Sequence, residues 1–240
     1  MREDLPFQRT EMLFGADAMR RLGESTVALF GVGGVGGHCA EALARSGVGG
    51  FLLVDRDRVA VSNLNRQAVA LHSTLGRLKV DVMRERILDI NPEARVETLA
   101  AFYLPEDSLG VWDRSFSLVI DAVDTVTAKV DLAVQAEKRG IPCVSCMGAG
   151  NKLNPALFEA ADLYETSVCP LSRAMRKLCR ERGVARLRVV YSKEPPAPRL
   201  APPEAGKGGH PAPGSVAYVT ASAGLLLASE AVSLLLGLSA

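Results

Sequence analysis

Val27 to Asp57 reads VALFGVGGVGGHCAEALARSGVGGFLLVDRD, and this stretch decides the fold. The run Val27, Ala28, Leu29, Phe30 is short, wholly apolar and closed by glycine, the pattern of a strand buried on both faces of a parallel sheet. Gly31, Gly33 and Gly36 follow in the spacing G-x-G-x-x-G, with Gly34 and Gly37 added. A helical segment carries apolar residues at Ala40, Ala42, Leu43 and Ala44, and a second apolar strand from Phe51 to Val54 ends in Asp55. Strand, glycine turn, helix and strand with an acidic tip make a complete βαβ unit. Glycines let backbone N–H groups approach a phosphate, and the helix N-terminus directs its dipole at the same anion. Asp55 is placed to accept hydrogen bonds from a ribose, so the unit predicts nucleotide binding.

Reading outward toward the C-terminus, the next stretch gathers Asp57, Ser62, Asn63, Asn65, Arg66 and Gln67, with Lys79 at the start of a helix over 77–90 that stops at Asn91–Pro92. Loops after the carboxyl ends of parallel strands are where open α/β sheets hold ligands. Two cations there suit charge stabilisation of phosphoryl or nucleotidyl transfer. A strand is predicted over 95–98 and a loop with a short helix over 105–112. The strand Leu118–Ile120 delivers Asp121 and Asp124 to the same edge, and paired carboxylates beside phosphates point to Mg²⁺. A helix over 125–138 and a strand over 143–147 continue the alternation, which predicts a mainly parallel sheet. Toward the N-terminus, residues 1–24 read as a helical lead-in anchored by Met12, Leu13, Met19 and Leu22, with Arg9 near its start.

The rest of the 240 residues bounds the function. With 48% hydrophobic and 23% charged residues and a net charge of +1, the chain is not a uniformly basic nucleic-acid binder, so any such contact needs a local patch. The densest cations are Arg173, Arg176, Lys177, Arg180, Arg182, Arg186 and Arg188, which make either a solvated helix face or a track for an RNA backbone. Cys143 and Cys146 form a C-x-x-C, and Cys169 and Cys179 lack the spacing of a second pair, so a zinc site is disfavoured against two strand cysteines. Cys169 is more readily a structural thiol than a nucleophile. Five cysteines and a charged N-terminus without an apolar core predict reduced thiols and a cytoplasmic location. The Pro- and Gly-rich stretch 193–214 reads as a flexible loop. The apolar tail from Ser215 is interrupted by Ser222, Ser229, Glu230 and Ser233. It is expected to be a strand or turn followed by a buried helix, packed on the sheet or at a dimer interface, rather than membrane-bound.

GVGGVGG at 31–37, DRDRVAVSNLNRQ at 55–67, Lys79 and DAVDT at 121–125 together resemble the adenylating domains of the ubiquitin-activating, MoeB, ThiF and HesA superfamily. The resemblance implies one adenylating domain over 1–240: α/β, Rossmann-like, a mainly parallel sheet with helices on both faces, with a basic insertion at about 160–190. It implies ATP held by Gly31, Gly33, Gly34, Gly36, Asp55, Asp57, Gln67 and Asp121, phosphate contacts from Asn63, Arg66 and Lys79, and Mg²⁺ on Asp124. Arg9 would reach the partner's site in a homodimer. EALARSGVG, NLNRQ, INPE at 90–93, TSVCPLSRAMRK and VVYSKEPP resemble the tRNA threonylcarbamoyladenosine dehydratases within that superfamily. That implies activation of a threonyl carboxylate on tRNA, beside the anticodon, and ring closure with loss of water. The rival readings are activation of a sulfur-carrier protein's C-terminal Gly-Gly, with a sulfur-transfer protein as partner, an NAD-dependent oxidoreductase, and a nucleotide-sensing module without catalysis.

Overall fold

The computed structural model describes residues 6–106, 110–198, 200–201 and 212–238. Its centre is a seven-stranded sheet in the order β3-β2-β1-β4-β5-β7-β6. The strands are β1 (Thr26–Phe30), β2 (Gly50–Val54), β3 (Arg95–Leu99), β4 (Leu118–Asp121), β5 (Cys143–Cys146), β6 (Phe158–Asp162) and β7 (Arg188–Ser192). Every pairing is parallel except β6 with β7, which is antiparallel, Phe158 opposite Ser192 and Asp162 opposite Arg188. The continuous apolar runs explain the burial: β2 is buried at all five positions and β4 at all four. The edge strand β3 instead alternates and exposes Arg95 and Glu97, which protects an unpaired edge. Chain order reverses between β1 and β4, which opens a crevice at their carboxyl ends.

Helices cover both faces. On one lie α2 (Ala16–Glu24), α3 (Gly36–Arg45), α4 (Lys79–Ile90) and α7 (Ala217–Leu236). On the other lie α5 (Val126–Arg139) and α6 (Pro170–Glu181), with Tyr103 and Trp112 filling the layer beneath α5. The fold class expected from the βαβ reading is the one observed. The lead-in is helical but broken: α1 (Gln8–Phe14) and α2 are separated by Gly15 at φ 83°. Leu22 is buried and Met19 packs on the core, whereas Met12 and Leu13 are about four-fifths exposed and join no core cluster among the described residues. The tail is helical from Ala217, with no strand before it. α7 packs most extensively on α3, where Gly224 leaves room for the Val35 carbonyl of the facing chain. By length and apolarity α7 suffices to cross a membrane, but half of it is buried inside the molecule.

Cys143 and Cys146 lie three apart on β5, so they point to opposite sheet faces: Cys146 enters the core under α3 and α7, Cys143 the layer under α5 and α6. Their spacing therefore keeps these two thiols on opposite sides of the sheet. Half of the 193–214 stretch lies outside the described residues, but its two roots meet at one residue. Asn151, in the left-handed region at φ 55°, donates its N–H to the Gly214 carbonyl and accepts the Gly214 N–H on Oδ1, both at 2.8 Å. Its own carbonyl accepts the Ala197 N–H at 2.8 Å.

Candidate active site

The crevice is built first by glycine. Gly31 leaves β1 at φ 89°, and a Cβ there would strike the Ala122 carbonyl at 2.7 Å, so the turn after β1 lies directly against the exit of β4. A Cβ on Gly36 would overlap the Gly31 carbonyl oxygen; this position lets α3 begin under the turn. Gly33 and Gly34 face outward. A Cβ on Gly34 would fill a notch between Thr220 (3.3 Å) and Cγ of Arg66 (3.4 Å), and Gly33 looks toward Nε2 of Gln67 at 3.9 Å. The glycines thus divide into two that close the turn and two that leave a backbone cradle at a helix N-terminus.

Asp55 fixes that cradle to the neighbouring strand. Its Oδ2 accepts the Val32 N–H at 2.8 Å and its Oδ1 the Asp57 N–H at 2.8 Å. The carboxylate is therefore held in one orientation, with lone pairs left over for hydroxyl donors. Asp57 meets Nζ of Lys79 at 3.1 Å. Lys79 is buried and is the first residue of α4, an arrangement that costs twice: an ammonium out of water and a cation at the positive end of a helix. One aspartate offsets part of that, and a polyanionic ligand would offset the rest.

The loop between Asp57 and Lys79 lines the third side. Asn63 is buried and closes the 3-10 turn Val61–Asn63, its Oδ1 accepting the Ala60 N–H at 3.1 Å. Arg66 folds over the loop, with Nη1 donating to the Ser62 carbonyl and to Oδ1 of Asn65, each at 2.9 Å. Asn65 in turn donates to the Ser215 carbonyl at 3.0 Å, which ties the loop to the root of α7. Gln67 is buried, and among the described residues its Oε1 has no hydrogen-bond partner. A buried unpaired amide oxygen beside an open glycine cradle is the mark of a site that a polar ligand completes.

The two carboxylates after β4 have different fates. Asp124 is exposed, with the Thr125 hydroxyl 3.4 Å away. Asp121, expected on the ligand edge, is instead fully buried: it accepts the Ser145 hydroxyl and the Val123 N–H (3.1 Å) and forms an ion pair with Lys129 at 2.9 Å. Lys129 also donates to the Cys146 and Val123 carbonyls at 2.7 and 3.3 Å. This buried cation straps the exits of β4 and β5 together under the crevice. The sequence reading missed it; the available signal was a lone lysine among the apolar positions of α5. Thr220, buried beside Gly34, was missed for the same reason, as one polar residue in an apolar tail. Arg9 is not brought to this crevice: it is exposed on α1, whose neighbour Phe7 lies by Gly47, at the opposite end of the sheet.

Cysteine chemistry is suppressed. Burial pushes the thiols of Cys39 and Cys143 well up, Cys146 up to about 12 and Cys179 up to about 11, so these four are protonated at neutral pH. Cys169 is buried as the N-cap of α6, its Sγ accepting the Ser172 N–H at 3.5 Å.

The family model described as the ThiF family matches residues 7–240. A tRNA threonylcarbamoyladenosine dehydratase of Bacillus subtilis is 46% identical over 191 residues, covering 79% of this chain and 75% of that protein. The Escherichia coli protein of the same name is 39% identical over 171 residues, 71% of this chain and 64%, just under two thirds, of that protein. The crystal structure of the E. coli tRNA N6-threonylcarbamoyladenosine dehydratase in complex with ATP superposes with a TM-score of 0.86 at 32% identity, covering 97% of this chain and 94% of that one. The chain belongs to the ThiF family and, within it, to the tRNA threonylcarbamoyladenosine dehydratases.

Proposed function

We propose that this protein catalyses the ATP-dependent cyclising dehydration of a threonylcarbamoyl group on a tRNA adenosine beside the anticodon. The observation that carries the reading is the unfinished polar cradle at the β1/β4 reversal: the open backbone at Gly33 and Gly34, the unpaired Oε1 of Gln67 and the buried Lys79 at a helix start. A nucleotide triphosphate fits that set. Asp55 would accept ribose hydroxyls, and the amides of the glycine turn would receive the phosphates. Arg66 and Lys79 offset the negative charge that grows on the phosphate as the substrate carboxylate displaces pyrophosphate. Asp124, exposed at the crevice mouth, would hold Mg²⁺, which supplies charge neutralisation for the leaving pyrophosphate and needs few protein ligands.

The second half-reaction asks little of the protein. The carbamoyl group attacks the activated carboxyl carbon within the same molecule, AMP leaves, and the net change is one water lost. Orientation supplies the acceleration. No thiol nucleophile is called on, which agrees with the protonated state of the buried cysteines. The tail helix α7 is taken as core, and residues 1–240 as one domain working in the cytoplasm. The exposed Met12 and Leu13 of α1 suit a homodimer in which Arg9 of the partner subunit completes each crevice.

The test is ATP turnover with Mg²⁺ and tRNA carrying or lacking the threonylcarbamoyl group, with the nucleoside followed by mass spectrometry. AMP formation together with loss of one water from the modified adenosine is the expected result, and Asp124→Ala should abolish it while leaving the melting temperature unchanged. AMP release that depends instead on a carrier protein ending in Gly-Gly would transfer the enzyme to the sulfur-carrier branch.

A further inference from the structure

The crevice accounts for the nucleotide and the reacting carboxylate, but a tRNA is far larger than the crevice and needs a second surface. α6 has the properties of one. Its 12 residues span about 18 Å. One side is buried through Ser172, Met175 and Cys179. On another side Arg173, Lys177 and Arg180 follow at i, i+4 and i+7, one stripe along the axis, and all three are exposed. The exposed Arg182 and Arg186 extend it beyond the last turn. Among the described residues none of these five cations takes part in an ion pair, whereas their neighbours are committed: Arg176 donates to the Thr166 carbonyl at 2.8 Å and Arg188 pairs with Glu230 at 2.5 Å. The full set of seven basic residues read from the sequence thus reduces to five that remain available. Glu181, the acidic residue of the last turn, is rotated about 100° from Arg180. Arg180 lies over the ring of Tyr164, 5.2 Å from its centroid, which holds its guanidinium against an aromatic face.

The stripe also starts where it must. Leu171, in the first turn of α6, lies 3.9 Å from the position of a Cβ on Gly148, in the loop that leaves β5 beside the exit of β4. The first turn carries no acidic residue. The cations therefore run from the rim of the crevice away from it, on a molecule whose net charge is only +1.

We propose that the exposed stripe of α6, Arg173, Lys177 and Arg180, is the track for the sugar–phosphate backbone of the tRNA's anticodon arm, placing the modified adenosine at the crevice mouth; this rests on the tRNA substrate proposed above. Phosphate contacts of this kind position a substrate without reading its sequence, so the track would serve every tRNA that bears the modification.

The test uses the full chain and threonylcarbamoyl-modified tRNA, with steady-state rates measured across a KCl series. The triple variant Arg173→Gln, Lys177→Gln, Arg180→Gln should raise KM for tRNA about tenfold or more and flatten the slope of log(kcat/KM) against log[salt] by about 2. kcat at saturating tRNA and KM for ATP should stay at wild-type values. The pair Arg173→Gln, Lys177→Gln, which spares the contact with Tyr164, should give a smaller shift of the same kind if the triple variant does not fold. Arg84→Gln, an exposed cation of α4, should leave the slope unchanged; an equal fall there would make the effect one of net charge and overturn the track. Wild-type turnover with KM and slope unchanged in the triple variant would overturn the track alone. Absence of any wild-type turnover on modified tRNA would overturn the substrate reading and the track with it.

Discussion

Lys129 is the residue on which the floor of the crevice turns. Buried with Asp121 and bonded to the carbonyls of Val123, just past β4, and Cys146, the last residue of β5, it exemplifies an ion pair that is worth little as a pair but much to break. Lys129→Met should leave the carboxylate of Asp121 uncompensated and cost about 3–5 kcal/mol. Adding Asp121→Asn should recover a large share of it. Urea unfolding of the two variants checks the order; equal stabilities would mean that the pair is not closed in the folded protein. The same residue shows where sequence reading stops. The glycine turn, Asp55, Arg66 and Lys79 were legible because each is local: a spacing fixes the backbone, and the backbone fixes the side chain. Asp121 and Asp124 stand three apart on one short segment, and nothing local separates them. What separates them is a lysine from α5 and a serine from β5, residues that arrive through tertiary packing.

At the scale of elements, α3 and α4 are joined on their outer faces by one acidic residue. Glu41 accepts from Arg86 at 2.5 Å and from Arg45 at 3.0 Å. Partial burial raises its carboxyl, but the two arginines outweigh that and hold it below the ordinary value near 4.5. A depressed folded-state value means stability that is present above about pH 4.5 and lost as the pH falls below it. Glu41→Gln should therefore cost about 1 kcal/mol at neutral pH and nothing once Glu41 is protonated. Chemical denaturation at pH 7 and pH 3 reads the difference, and a cost that persists at low pH would assign it to packing. Elements with strong periodicity or glycine punctuation (β1, β2, α4, β4, α5, β5) were readable to within a residue or two. β6 was not, because a five-residue strand with only one buried position, Phe158, carries no continuous apolar run. Its antiparallel seat on β7 is set by the chain's return path and not by its own composition. The start of α6 is unusual only in its cap: Cys169 supplies a thiol in place of the usual hydroxyl or carboxylate, with Pro170 as the first helical residue.

For the whole molecule, the separation of Arg9 from Arg66 makes the proposed homodimer testable without a structure of it. Arg9→Ala and Arg66→Ala should each abolish activity alone. Mixed and allowed to exchange subunits, they should restore on the order of a quarter of wild-type activity, since half the dimers would be mixed and each would hold one crevice with both arginines. No recovery after demonstrated exchange would place Arg9 outside the catalytic machinery. A different whole-molecule consequence follows from Asn151, which receives the chain at Ala197 and again at Gly214. A connection that leaves and returns at one residue bridges almost no distance, and each halving of its length changes the closure cost by only about 0.6 kcal/mol. Its length is therefore nearly free to change: α7 is kept on the sheet by its buried face and by the clasp at Asn151, not by the reach of the segment that joins them.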